Sequence, residues 1–264
     1  MKYTILAVSG TCEFKFEVLH APVTPVLCEE VITCLLGWGE ASITDIRIRL
    51  TDKSERSKDL FSICRDGSGK IVSNTWIGWN GRQPHGERVG LLGHVFTLPD
   101  HRCKGLASQV SKLALEEFYT SGGLCLLLGV ANESAHRIYY RLGFRVVTGG
   151  LDRGESMMLH SRHSSPPQTL LDNYFNKTAP VTYEPATRHN VGDLCLLFQR
   201  SNQLISDELF KLGDPFAAEE DCLTMFLLQD SGKVTARILL VDYRVVGIEL
   251  EIGDRKYSIY SSKK

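Results

Sequence analysis

The residues best suited to chemistry are Arg102-Cys103-Lys104-Gly105-Leu106-Ala107-Ser108. Leu106, Val110, Leu113, Ala114 and Phe118 recur at steps of three and four, which predicts an amphipathic helix ending at Ser121-Gly122-Gly123. The start of a helix exposes unpaired N–H groups and the positive end of the helix dipole. A glycine lets backbone close on a ligand without a Cβ in the way, and Arg102 and Lys104 add charge. Together these parts suit a pyrophosphate; the plain alternative is a basic surface turn. Two common phosphate motifs are excluded. A P-loop needs Gly-Lys-Ser/Thr after an earlier glycine, and here Leu106-Ala107 follow Gly105. A dinucleotide fingerprint needs three glycines, and the loop has Gly105 alone.

Stepping outward, the loop must be positioned by its neighbours. Leu91-Leu92-Gly93-His94-Val95-Phe96-Thr97-Leu98 is an apolar run that reads as a buried strand, broken by Pro99-Asp100-His101. After the helix, Leu124 to Val130 reads as the next strand, followed by Asn132-Glu133-Ser134-Ala135-His136-Arg137-Ile138-Tyr139-Tyr140-Arg141-Leu142-Gly143-Phe144.

These two stretches resemble the GNAT superfamily of N-acetyltransferases. Arg102, Gly105 and Ala107 fit its Arg/Gln-x-x-Gly-x-Gly/Ala loop, and Asn132, Ala135, Tyr139, Gly143 and Phe144 fit its Asn-x-x-Ala-x-x-x-Tyr-x-x-x-Gly-Phe segment. The resemblance is strong from about residue 60 to 160, weak before and partial after. It implies an α/β fold with a central, twisted, mixed β-sheet flanked by helices. It also implies acetyl-CoA as co-substrate, with its pyrophosphate on the backbone of Cys103, Lys104, Gly105, Leu106, Ala107 and Ser108. Arg102 would orient the loop or touch phosphate. Cys103 stands where the family commonly has glycine; as a nucleophile it lacks a histidine partner in the sequence. Backbone groups of Val95, Phe96 and Thr97 would face the pantetheine and the thioester carbonyl. Asn132 would bond the pantetheine arm or cap the following helix. Tyr139 matches the general acid that protonates the leaving sulfur; its other reading is a core aromatic. The family's frequent glutamate base falls at about Leu91, which cannot accept a proton. His94, Glu87 and His85 are the nearby candidates, His94 for its ordinary pKa; a water chain or an already neutral amine would also serve.

The bulk properties exclude other classes. The chain has 264 residues, a formal net charge of −1, 43% hydrophobic and 23% charged residues. This is ordinary globular composition and no general nucleic-acid or acidic-membrane binder. No apolar run approaches a membrane span and the N-terminus lacks a signal-peptide pattern, so a cytoplasmic protein is expected. The eight cysteines are scattered with no Cys-x-x-Cys pair; free thiols are expected and no metal.

In chain order, residues 2 to 8 and 12 to 20 read as strands and residues 24 to 35 as a helix closed by Gly37 and Gly39. Residues 44 to 58 fit strand or helix. Leu60 to Arg65 and Lys70 to Trp79 read as a hairpin about Asp66-Gly67-Ser68-Gly69. Arg145 to Thr148 and Met157 to His160 read as two further strands, with Gly149-Gly150 to Gly154 turning between them. The expected domains are 1–162, a GNAT unit; 163–180, a linker; and 181–264, a degenerate GNAT-like α+β half domain without a CoA loop. In the last, Val181 to Thr187 reads as a strand and Asn190 to Phe198 as a helix. Cys222 to Leu228 and Lys233 to Val241 read as a hairpin turned at Gln229-Asp230-Ser231-Gly232. An unrelated β-rich appendage is the alternative.

The function expected is transfer of an acetyl group from acetyl-CoA to an amine by direct attack. A CoA-binding regulatory or scaffold module without turnover is the alternative. The resemblance implies a small-molecule or peptide amine as acceptor, bound in a pocket built from regions 21–58 and 80–90, which carry no recognisable motif. No nucleic-acid or membrane partner is expected, and the tail either forms a homodimer or closes the substrate cleft.

Overall fold

The structure is a computed structural model and describes residues 3–7, 13–54, 57–150, 152 and 155–261. Cys12, Gly154 and the outer ends of the first expected strand lie outside the described residues. The chain forms two compact units, one of residues up to Arg82 with Leu92–Gly122, the other of Gln83–Leu91 with the chain from Gly123 onward.

The first unit runs β1 (Tyr3–Ala7), β2 (Glu13–His20), α1 (Pro25–Cys34), α2 (Glu40–Thr51), β3 (Ser57–Arg65) and β4 (Ile71–Asn80). It closes with the later part of β5 (Arg88–Thr97) and α3 (Leu106–Thr120). Its strands lie in chain order, β1 to β5, and β1, β2, β3 and β4 pair antiparallel. The β3–β4 turn is held by Asp66, whose Oδ1 accepts from the Ser68 and Lys70 amides at 2.9 and 3.1 Å; such Asx geometry is why aspartate opens turns. Thr24 caps α1, accepting from the Leu27 amide, with Pro25 in the first turn. The undecided stretch is mostly helix. Asp45 and Arg49, Ile46 and Leu50 are buried four residues apart along α2, a spacing that puts them on one face. The stripe of α3 enters the core: Leu106 and Val110 join Phe14, Phe16, Cys64 and Val72.

In the second unit the first residues of β5 pair in parallel with β6 (Gly123–Val130) from Arg88 to Leu91. Then follow α4 (Glu133–Arg141), β7 (Arg145–Gly150) and β8 (Glu155–Ser161), in strand order β5-β6-β8-β7. The chain continues through α5 (Pro167–Phe175), β9 (Val181–Pro185), α6 (Val191–Arg200) and the short pair β10 (Ile205–Ser206) and β11 (Lys211–Leu212). It ends with α7 (Ala218–Asp230), β12 (Thr235–Val241), β13 (Arg244–Ile252) and β14 (Arg255–Tyr260). A second, antiparallel sheet has the order β14-β13-β12-β9. The architecture is the expected mixed α/β one, a large sheet with helices and a further sheet in the C-terminal part.

Two expectations are corrected. Residues 163–180 are not bare linker: Pro167 opens α5, and Leu170, Leu171 and Tyr174 bury one helical face. Cys222 to Leu228 is not a strand. Ala218, Cys222, Met225 and Phe226 are buried at steps of four, three and one, and Glu219, Glu220 and Asp221 suit the positive end of a helix. The turn at Gln229–Gly232 therefore ends a helix, Gly232 taking φ +71°, and does not reverse a hairpin. Residues 83–91 and 123–162 group with the C-terminal chain in the second compact unit. In the C-terminal chain β9 is followed by helices and then β12, β13 and β14, with β9 beside β12.

Candidate functional site

The first unit gathers His94, Val95, Phe96, Thr97 and the loop 102–108. The second carries Asn132 and Tyr139. β5 is buried until His94 and half-exposed at Val95, Phe96 and Thr97. His94 has φ +50°, left-handed backbone inside a strand, so regular alternation breaks there. The distortion is tied from β4. The Asn74 amide donates to the His94 carbonyl at 2.8 Å, and the Ser73 hydroxyl donates to the Phe96 carbonyl at 3.0 Å, 2.8 Å from the Thr97 hydroxyl. Ser73 and Asn74 are fully buried. Sequence reading passed over them; the signal was Ser73-Asn74-Thr75, a polar triplet inside an otherwise apolar strand.

Beyond β5, Pro99–His101 form one 3-10 turn. Arg102 then folds back, its Nε donating to the Thr97 carbonyl at 3.1 Å and its guanidinium lying 5.9 Å from the centre of Phe96. Lys104 donates to the Asp100 carbonyl at 3.0 Å and sits 5.9 Å from the Phe14 ring. Cys103 and Gly105 both take left-handed backbone, φ +61° and +74°, a conformation that favours glycine. Gly105 is the N-cap of α3 and supplies no side-chain cap. A Cβ there would meet nothing within 4 Å. Cys103, Lys104 and Gly105 are exposed, and the helix opens beneath an exposed loop carrying two cationic side chains. A diphosphate fits this arrangement.

His94 is 6% exposed, its ring 5.2 Å from Trp76. Burial, with the nearby Arg49 guanidinium, pushes its pKa down to about 4, so the ring is neutral at pH 7. The other base candidates are placed elsewhere: Glu87 pairs with Arg244, and His85 is exposed. Leu91 is fully buried.

In the second unit Asn132 caps α4, its Oδ1 accepting from the Ala135 amide at 2.8 Å. Tyr139 is 6% exposed and packs edge-on to Phe144 at 5.9 Å. Burial first, and the Glu219 carboxylate second, hold its phenol well above the usual tyrosine range. Tyr140 faces solvent, as the helix requires of its neighbour. Among the described residues no cluster could hold a metal ion and no helix is long and apolar enough to cross a membrane.

Residues 74–150 match the model of a family described as FR47-like protein, which spans β4 to β7. This stretch resembles the FR47-like proteins. Arg102, Gly105, Asn132 and Tyr139 lie within the matched residues. Among solved structures, a GNAT-family acetyltransferase from Streptococcus pneumoniae is 20% identical, covering 55% of this chain and 99% of its own, with a TM-score of 0.40. An acetyltransferase from Streptococcus agalactiae is 15% identical over 55% and 98%, TM-score 0.42. A GNAT-family N-acetyltransferase from Escherichia coli in complex with CoA is 14% identical over 55% and 81%, TM-score 0.39. No curated protein matches the chain.

Proposed function

We propose that the protein is an acyl-CoA-dependent N-acyltransferase that transfers an acetyl group directly to an amine. The observation that carries this reading is the loop before α3. Two left-handed residues, two basic side chains and a helix start without a side-chain cap make a seat for a diphosphate at Cys103–Ser108. Acetyl-CoA supplies the thioester. Val95, Phe96 and Thr97, held by Ser73 and Asn74, give fixed backbone polar groups on the same unit. Tyr139 is assigned as the acid for the leaving sulfur. Its phenol stays protonated well into alkaline solution, the state an acid must start from. Asn132 is assigned to holding the start of α4, on which Tyr139 sits. His94, closed in against Trp76, serves to shape β5 rather than to take protons.

The alternative, a CoA-binding module without turnover, draws on the leucine at position 91 and on the burial of His94. Thiol release from acetyl-CoA over a panel of amines, compared between the native chain and Tyr139→Phe, separates the two. Transfer predicts amine-dependent thiol release that falls roughly 10²-fold or more in the variant, with CoA affinity unchanged. CoA binding with no amine-dependent thiol in either protein would leave the module.

A further inference from the structure

Ser73 and Asn74 are polar residues enclosed in the first unit, on β4 between β3 and β5. Burying a polar side chain costs stability unless it is hydrogen-bonded, and apolar residues would serve the core better at both positions. Successive side chains of a strand point to opposite faces. Thr75, two residues beyond Ser73, meets the Ser111 hydroxyl of α3 at 3.1 Å, and the Cys34 thiol of α1 lies 3.9 Å from Asn74 Oδ1. Ser73 therefore stands on the α3 face of the sheet and Asn74 on the α1 face. Both reach the same edge of β5, Asn74 at the His94 carbonyl and Ser73 at the Phe96 carbonyl. The strand is gripped from two faces.

The grip has two consequences. In a regular ladder the N–H and C=O of one residue share an edge, and those of the next residue take the other. With the carbonyls of His94 and Phe96 drawn to β4, the backbone polar groups of Val95 and Thr97 are set on the far edge. The described pairing of β5 with β6 runs from Arg88 to Leu91, so Val95 lies past it. The second consequence concerns the loop. A hydroxyl has one proton to donate. Ser73 gives its proton to the Phe96 carbonyl, so in the 2.8 Å contact the Thr97 hydroxyl donates to Ser73. The Thr97 carbonyl in turn accepts from Arg102 at 3.1 Å. One buried hydroxyl thus joins the Phe96 carbonyl to the residue on which Arg102 folds back, at the head of the Cys103–Ser108 loop.

We infer that Ser73 and Asn74 are positioning residues for the acyl-CoA thioester. Asn74 sets the edge of β5 that meets the thioester carbonyl. Ser73 does the same and also fixes, through Thr97 and Arg102, the relation of that edge to the diphosphate seat. The inference rests on the acyltransferase reading for its ligand. A strand and a loop held in one fixed relation offer their donors to the thioester without rearrangement, which is how preorganised groups lower a barrier.

Difference infrared spectroscopy of acetyl-CoA, isotope-labelled at the thioester carbonyl and bound to the full chain, reads the position of β5 without turnover. In the native chain the carbonyl stretch lies at lower wavenumber than in free acetyl-CoA, because the carbonyl accepts a hydrogen bond. Asn74→Leu, close in volume, returns the stretch to its free value and keeps CoA affinity within about twofold. Ser73→Ala returns the stretch and also weakens CoA about tenfold. Ser73→Thr, which keeps a hydroxyl, retains both native properties. A merely structural role predicts lower urea midpoints with stretch and CoA affinity unchanged, and that result overturns the proposal. So does a native stretch equal to that of free acetyl-CoA. Should the buried variants fail to fold, Thr97→Val alters a half-exposed residue and breaks the same contact. It is expected to weaken CoA about tenfold, and unchanged affinity overturns the proposal. A stretch shift lost in the variants, with no amine-dependent thiol from the native chain, keeps the positioning of the thioester and removes the acyltransferase reading. Thiol release at native kcat by both Ser73→Ala and Asn74→Leu does the reverse.

Discussion

At the scale of single residues, the loop before α3 is set by backbone conformation more than by contacts. Gly105 takes φ +74° with open space around the position of a Cβ, so a side chain there clashes with nothing in the protein. Its cost is conformational, and its methyl occupies the approach of a ligand. Gly105→Ala is therefore expected to lose only about 1 kcal/mol of stability while CoA affinity falls at least about tenfold. Urea unfolding and calorimetric CoA titration measure the two; equal binding in the variant would remove the loop as a phosphate seat. Cys103 shows that this loop tolerates a non-glycine residue in this conformation. The motif residues were legible because their types are dictated by backbone conformation and capping. His94 was not, because its role depends on Trp76 and Arg49, which reach it through tertiary packing.

At the scale of elements, the strands and helices with clear periodicity could be read directly: β2 from its alternation, α3 from its stripe, α6 from its apolar run. α7 was misread because a short apolar run fits strand or helix, and the turn after it ends either one. How α6 is held was hidden as well. Asp193 is fully buried, and its Oδ1 accepts from the Gln83 amide and from the Tyr174 hydroxyl at 3.1 Å, while Gln83 Oε1 accepts from the Val89 amide at 2.9 Å. Gly192 lies so close to β5 that a Cβ would come within 2.9 Å of the Val89 carbonyl oxygen. Three polar residues 19 to 110 positions apart give no local signal. Burial pushes the Asp193 carboxyl up to about 7, against the lowering effect of its hydrogen bonds. The folded state thus holds a proton that the unfolded chain releases near pH 4. The stabilisation from that proton is full below about pH 4 and is lost as pH rises to about 7, on the order of a few kcal/mol. Asp193→Asn is expected to flatten the stability of the protein between pH 4 and 8, and to exceed the native chain in stability at pH 8. Urea midpoints across that range check it; parallel curves for the two proteins would refute the assignment.

At the scale of the whole molecule, the C-terminal third is joined to the polar loop ahead of the central strand. Arg244 on β13 pairs with Glu87 and donates to the Tyr174 carbonyl at 2.9 Å, its guanidinium 4.9 Å from the Tyr174 ring. With Asp193 on Gln83 and Gly192 against β5, α5, α6 and β13 all bear on residues 83–91. These contacts belong to the same compact unit as β6, β7 and β8. A chain ending at Ser164 would bare Val89, Gly90, Cys125 and Leu127, all buried in the intact protein, and would strip Gln83 of its buried partner. Baring three apolar side chains costs on the order of 5–9 kcal/mol, comparable to the whole stability of a typical domain, ~5–15 kcal/mol. The truncated chain is therefore expected to lose cooperative unfolding and near-ultraviolet circular dichroism, and to lose acyl transfer with them. A separable appendage would instead leave residues 1–164 folded, with a sharp thermal transition and CoA affinity within about twofold of the full chain.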